Sequence, residues 1–246
     1  ILTSATLTTA GEFDYIKGRL NAEDAYEMAL GSPFDYETAT LIYLINDIPE
    51  PADRNGHQRA VIKGLADLGI ATGGRTLALF TSYDQLRRTS RAVSPLLAQH
   101  DIITYEQGDG ASPHALLETF RTSERAVLLG TRAFWEGVDV PGEALSSLMI
   151  VKLPFDVPSD PVIAARSETF EDPFYSYQLP EAILRFRQGF GRLIRTQSDR
   201  GVVAIFDRRI LTKQYGRYFL ESLPSCSVQI GSLSELPGAV QQWLNI

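Results

Sequence analysis

The sequence predicts an α/β fold with a mostly parallel central sheet covered on both faces by helices. Three observations carry this. Short continuous apolar runs, among them TLIYLI at 40–45, AVLLG at 126–130 and VVAIF at 202–206, read as strands buried on both sides. Stretches of helical periodicity lie between them, so strand and helix alternate along the chain. A length of 246 residues with 44% hydrophobic content suffices for one large domain, which is expected to span 1–246.

Taken in order, residues 1–7 (ILTSATL) form an apolar entry closed by Ser4, Ala5 and Thr6, and 11–30 read as one or two short helices. Strand 40–45 leads through a Pro/Asp-rich loop at 46–56 to a helix at 58–68 and a strand at 76–80. Between those two lies GIATGGRT, which fits G-x-x-x-x-G-K-[ST] except that Arg75 stands in place of the lysine. A phosphate-cradling loop must leave a strand and open a helix, so that helix amides point at the ligand. Here the order is helix, glycines, strand, and the segment reads as a helix C-cap and turn.

FTSYDQL at 80–86 carries a strand end into a helix, with Ser82 or Asp84 suited to capping it. Helix 85–99, strand 102–105, helix 113–121 and the strand from Ala126 continue the alternation. That last strand enters the loop GTRAFWEGVDVPG. Strand 148–153, the proline-punctuated PFDVPSDP and a helix at 161–170 with Asp160 as N-cap follow. From Leu179 an amphipathic helix is expected: at about 100° per residue Ile183, Phe186, Phe190, Leu193 and Ile194 share one side, while Arg185, Gln188, Arg192 and Arg195 share the other. Strand 202–206, helix 213–220, a short strand near Val228 and a C-terminal helix containing Trp243 complete the chain, with 221–246 read as an extension.

Formal net charge is −7, which argues against a surface that is a nucleic-acid footprint throughout. Charge is uneven: residues 1–60 hold ten acids against four Lys/Arg, and 181–217 hold nine Lys/Arg against three acids. An anion site therefore belongs to the second region. Cys226 is the single cysteine, which excludes an intrachain disulfide framework and fits a cytoplasmic location. No apolar run approaches the roughly 20 residues of a membrane span, so no membrane partner is expected. The chain opens at Ile1 rather than Met, and a longer parent polypeptide is expected.

Gln188, Gly191, Arg192 and Arg195 form Q-x-x-G-R-x-x-R, which resembles the sixth motif of superfamily 2 helicases. TSATL resembles the third motif, FTSY the fourth, and GTRAFWEGVD the fifth in its W-E-G-x-D form, all in the family's order. GSPFDYETA at 31–39 resembles a linker motif, and Asp207-Arg208-Arg209 the family's D-x-R. The series resembles the DinG branch of DinG/XPD-like helicases, specifically the second of two RecA-like motor domains, a P-loop NTPase-like domain without a P-loop of its own.

That resemblance implies a three-layer RecA-like domain, with residues 1–10 a tail from the end of the first motor domain. It implies an ATP-dependent 5′–3′ DNA helicase of repair or replication, with ATP and Mg²⁺ held mainly by that first domain. Arg192 and Arg195 would be arginine fingers at the γ-phosphate, and Gln188 a sensor beside Gly191. Glu136, Gly137 and Asp139 would support the nucleotide, and Ser4, Ala5 and Thr6 would couple the domains. Thr81, Ser82, Tyr83, Thr131 and Arg132 would meet single-stranded or forked DNA. Phe134 and Trp135 either stack on a base or anchor the loop from beneath. An iron–sulfur cluster, where the family has one, belongs to the first domain, and no metal ligand is expected here. By itself the chain would hydrolyse no ATP and bind it at best weakly, with its arginine guanidiniums solvent-exposed or holding a stray anion. The alternatives are a non-hydrolysing nucleic-acid-binding module and a motor fused to a nuclease.

Overall fold

The structure is a computed structural model, which describes residues 1–4, 6–9, 11–108, 110–135, 145–194, 196 and 199–246. Seven strands form one sheet: β1 (Thr40–Ile45), β2 (Thr76–Leu79), β3 (Ile103–Glu106), β4 (Ala126–Gly130), β5 (Ser147–Ile150), β6 (Gly201–Ile205) and β7 (Ser227–Gly231). Their spatial order is β3-β4-β2-β5-β6-β1-β7, and every pairing is parallel. Parallel pairing requires crossovers, and the helices supplying them cover both faces. Along β1, Leu41, Tyr43 and Ile45 enter one core while Ile42 and Leu44 enter the other, the two-residue period of a strand buried on both sides. The RecA-like α/β reading of the sequence holds.

One core lies under α3 (Arg54–Ala71), α4 (Tyr83–Ala98) and α11 (Leu236–Leu244); the other lies under α5 (Pro113–Thr122), α8 (Leu179–Phe190) and α10 (Gly216–Glu221). Shorter helices are α1 (Asp14–Leu20), α2 (Tyr36–Ala39), α6 (Arg132–Trp135), α7 (Pro161–Ser167) and α9 (Arg209–Thr212). Side-chain N-caps fall where the chain offers an oxygen: Ser82 accepts from Gln85 N–H, Ser112 from Ala115 N–H, and Asp160 from the Val162 and Ile163 N–H groups.

GIATGGRT ends α3 rather than opening a helix. Gly73, Gly74 and Arg75 all take positive φ, and a Cβ on Gly74 would stand 2.4 Å from the Ala126 backbone nitrogen, so only glycine fits beside β4.

Residues 1–4 run exposed outside the sheet. Two expectations on the elements are corrected. The helix expected at 213–220 begins only at Gly216, as α10, and a separate short helix, α9, precedes it; between them the backbone packs so closely that a Cβ on Gly216 would meet the Ile210 carbonyl at 2.1 Å. The helix expected to run through Arg195 stops at Phe190 with Gly191 as its cap, and it is preceded by a π-helical turn at Phe174–Gln178. Among the described residues no helix is long and apolar enough to cross a membrane.

Candidate functional site

Parallel α/β sheets present their ligand sites at the carboxyl ends of the strands. At that edge the FTSY segment leaves β2 and the GTR segment leaves β4, and these two strands are direct neighbours. The PFDVP loop after β5 rises beside them, and α7 closes the far side. Together they enclose a cleft of about 360 Å³, whose wall includes Thr81, Tyr83, Arg132, Asp156, Arg166 and Arg185.

Thr81, Tyr83 and Arg132 are exposed there, while Ser82 is half-buried and spends its oxygen on the α4 cap. Thr131 is buried, and both its N–H and its hydroxyl donate to Gln107 Oε1, at 2.7 and 2.8 Å. Its hydroxyl proton is therefore committed inward, within the protein.

Gln107 went unread in the sequence. Its oxygen faces two donors, so its amide nitrogen faces outward and donates to the Tyr83 hydroxyl oxygen at 2.6 Å. The Tyr83 oxygen thus accepts from Gln107, and its own proton remains available to donate. Gln107 thus joins the two loops and sets the polarity of one. Each of its partners is 24 residues away in sequence, and no local pattern marks such a residue.

Phe134 and Trp135 are buried at 0% and 1% exposure. Trp135 Nε1–H donates to the Phe80 carbonyl at 3.1 Å, tying the GTR loop to the end of β2. A Cβ on Gly130 would strike Phe134 at 2.5 Å, and one on Gly189 would strike Trp135 at 2.8 Å, so both rings are seated against glycine backbone. Of the two readings the sequence left open, the anchor is the one the structure holds. Neither ring offers a face to a base.

The arginine face of α8 is also not the solvated stripe that periodicity suggests. Arg185 is buried, donating to the Pro154 carbonyl at 2.6 Å and pairing with Asp156 at 3.2 Å. Arg187 donates to Thr8, at the carbonyl and, at 2.8 Å, at the hydroxyl. Arg192, expected exposed, is buried and donates Nη2–H to the Trp135 carbonyl at 3.2 Å. Gln188 and Gly191 are half-buried beside it along the chain. Ser4 and Thr6 lie in the amino-terminal segment with their hydroxyls 3.4 Å apart. Arg195, Glu136, Gly137, Asp139 and Ala5 lie outside the described residues.

The D-x-R segment secures the PFDVP loop. Asp207, fully buried, accepts the Leu153 N–H at 2.9 Å and a forked pair from Arg209, with Nη2 at 2.6 Å. Arg209 in turn lies 5.7 Å from the Phe155 ring centroid. No three or more His, Cys, Asp or Glu are grouped to hold a metal ion among the described residues. Burial pushes the Cys226 thiol up to about 12, opposite to the shift that favours a thiolate ligand, and one thiol is too few for an iron–sulfur cluster.

Beneath the same edge, His57 of α3 is buried, with Nε2 2.9 Å from the Phe206 carbonyl and Nδ1 3.2 Å from Gln85 Nε2. A carbonyl only accepts, so Nε2 carries the proton and Nδ1 receives the Gln85 donor. Burial lowers the His57 pKa below its ordinary value, the Phe206 carbonyl opposing the shift. An unfolded histidine takes up its proton near pH 6.5, before the folded one does. Stability is therefore fully present above that pH and is lost as pH falls toward the lowered folded value. Urea unfolding at about pH 7.5 and about pH 5.5 should show the parent losing more on acidification than His57→Gln. Equal losses would contradict a neutral buried imidazole.

Residues 65–226 match the family model described as Helicase C-terminal domain. The 3′-5′ exonuclease DinG of Bacillus subtilis is 39% identical over 98% of the chain, which spans 27% of that protein. The ATP-dependent DNA helicase YoaA of Escherichia coli is 37% identical over 91% of the chain, which spans 35% of it. The chain thus corresponds to about a quarter to a third of these relatives' length. In fold it is similar to S. tokodaii Xpd4, with TM-score 0.60 at 19% identity, covering 84% of this chain and 41% of that one. It is also similar to S. cerevisiae Dbp5 bound to RNA and ADP BeF3, with TM-score 0.56 at 16% identity, covering 94% and 51%. With the FTSY and GTR segments at the carboxyl ends of β2 and β4 in a RecA-like sheet, and with the family model matched over residues 65–226, the chain belongs to the helicase C-terminal domain family.

Proposed function

We propose that this chain is the second motor domain of an ATP-dependent DNA helicase that moves 5′ to 3′ along one strand, acting in the cytoplasm in repair or replication. Single-stranded DNA, or the single-stranded arm of a fork, crosses the carboxyl ends of β2 and β4. Arg132, Thr81 and Tyr83 meet its backbone, contacts that position a strand without reading its sequence. ATP with Mg²⁺ lies between this domain and a first motor domain of the same polypeptide. Arg192 and Arg195 approach the γ-phosphate, Gln188 and Gly191 line their approach, and Glu136, Gly137 and Asp139 support the nucleotide. Ser4, Ala5 and Thr6 pass the nucleotide state between domains.

The observation that carries this reading is the convergence of the FTSY and GTR loops over one cleft with three arginines on its wall. What the chain lacks supports its being half of a site: its one glycine-rich segment of P-loop spacing caps the end of α3, so its amides cannot cradle phosphates. Alone, the chain is therefore expected to hydrolyse no ATP. The relative named as an exonuclease favours a second reading, in which the same motor is joined to a nuclease domain.

Binding of the 246-residue chain to labelled oligo-dT at several salt concentrations tests the DNA path. Arg132→Ala should weaken binding alike for all sequences and reduce the slope of log K against log salt by about 0.7, the single-strand value for one phosphate. An unchanged slope and affinity would place the strand elsewhere.

A further inference from the structure

The PFDVP loop carries a carboxylate to which the proposed function gives no role. Asp156 stands on the cleft wall between two guanidiniums of opposite character. Its Oδ2 accepts from Arg185 Nη2 at 3.2 Å, and its Oδ1 lies 3.6 Å from Arg132 Nη1. Arg185 is 9% exposed at the side chain and is fixed a second time by the Pro154 carbonyl at 2.6 Å, whereas Arg132 is 70% exposed. Among the described residues the other carboxylate of the cleft, Asp160, is committed to the Val162 and Ile163 N–H groups as the cap of α7. Among the described residues, Asp156 is thus the anion that faces the exposed cation of the GTR loop.

We infer that Asp156 is an internal stand-in for a backbone phosphate: its Oδ1 occupies, at Arg132, the place that a nucleic-acid phosphate takes, and Arg185 keeps the carboxylate paired once Arg132 has left it. This rests on the reading of Arg132 as a nucleic-acid contact. An ion pair at 3.6 Å whose cation is 70% exposed is weak and readily exchanged, while a phosphate offers a guanidinium forked, charge-assisted bonds. Were Asp156 held by Arg132 alone, the exchange would leave a bare carboxylate beside an incoming phosphate, and the two would repel. With Arg185 behind it, one anion replaces another at Arg132 and every charge remains paired. The same arrangement keeps the Arg132 side chain aimed across the cleft before a strand arrives, which reduces the ordering cost of binding. It does so at some loss of affinity, because the strand must compete with the carboxylate.

The complete helicase polypeptide, with labelled oligo-dT as the probe and anisotropy as the readout, tests this. Asp156→Asn, which leaves Arg185 an acceptor, should bind about two- to fivefold more tightly, the range of an exposed ion pair. Asp156→Glu should bind as the parent does, and in an Arg132→Gln background the gain from Asp156→Asn should vanish. Should Asp156→Asn lose the native fold, Asp156→Ser, which also leaves an acceptor, is read in its place. If Arg132→Gln weakens binding but removing the carboxylate brings no gain, the stand-in is wrong and the DNA path is right. A gain that persists without Arg132 would mean diffuse repulsion and would also overturn the stand-in. If Arg132→Gln leaves binding unchanged, the DNA path itself fails and the inference with it.

Discussion

Replacing Arg192 by alanine in a complete helicase that carries this domain is expected to lower ATP turnover on single-stranded DNA by about three powers of ten, the range for a lost arginine finger. Single-strand affinity should change far less. The residue is reached through α8, whose apolar side docks on the sheet and whose end is turned by Gly191. In this structure Arg192 is buried and its Nη2 donates to the Trp135 carbonyl, so the guanidinium is held in the domain before any nucleotide arrives. A planar fork fixed in advance loses less freedom when it meets a phosphate. The same contact supplies a rival explanation, since Arg192 also braces the end of α6. Arg192→Lys separates the two: it keeps the charge, loses the fork, and should remain slow in turnover. If instead the alanine variant keeps turnover within about tenfold of the parent while its unfolding midpoint drops, Arg192 is a brace and the finger lies elsewhere.

Much of the fold was legible because the sheet is parallel. A strand buried on both faces becomes an unbroken apolar run, and TLIYLI coincides with β1 from Thr40 to Ile45. Helix caps were legible for the same local reason: Ser82 and Asp160 each cap the helix that follows them. The site was legible in its motifs but not in its contacts. Periodicity divides α8 into an apolar and a cationic side, and it treats the second as solvent. In the folded chain the PFDVP loop covers that side, so Arg185 finds Pro154 and Asp156, which lie 31 and 29 residues away. Gln107 was invisible because its role exists only when β3 and β4 are side by side and the loop after β2 is adjacent. The division of α9 from α10 follows from a backbone approach at Gly216, which a run of ordinary helix formers does not announce. Phe134 and Trp135 show the limit most clearly, since an aromatic pair in a loop has the same sequence whether it meets a base or a core.

That ambiguity gives the second large effect. Trp135→Ala should lower stability by about 3–5 kcal/mol, the cost of emptying a large aromatic from a packed core. The ring is 1% exposed, a Cβ on Gly189 of α8 would lie 2.8 Å from it, and its N–H satisfies the Phe80 carbonyl. Removal leaves a cavity between α6 and α8 and strips that carbonyl of its donor just before Thr81. Trp135→Phe fills much of the space but supplies no N–H, and it should cost about 1–3 kcal/mol, the range for a buried acceptor left unpaired. Urea midpoints of the two variants, with oligo-dT affinity measured beside them, tell anchor from stacking platform. An anchor gives graded losses of stability, alanine worse than phenylalanine, with affinity falling only as the loops loosen. A platform gives unchanged midpoints, normal binding by Trp135→Phe and weak binding by Trp135→Ala. That second pattern would mean that the GTR loop opens to turn its indole onto a base, and that the buried ring is a resting state.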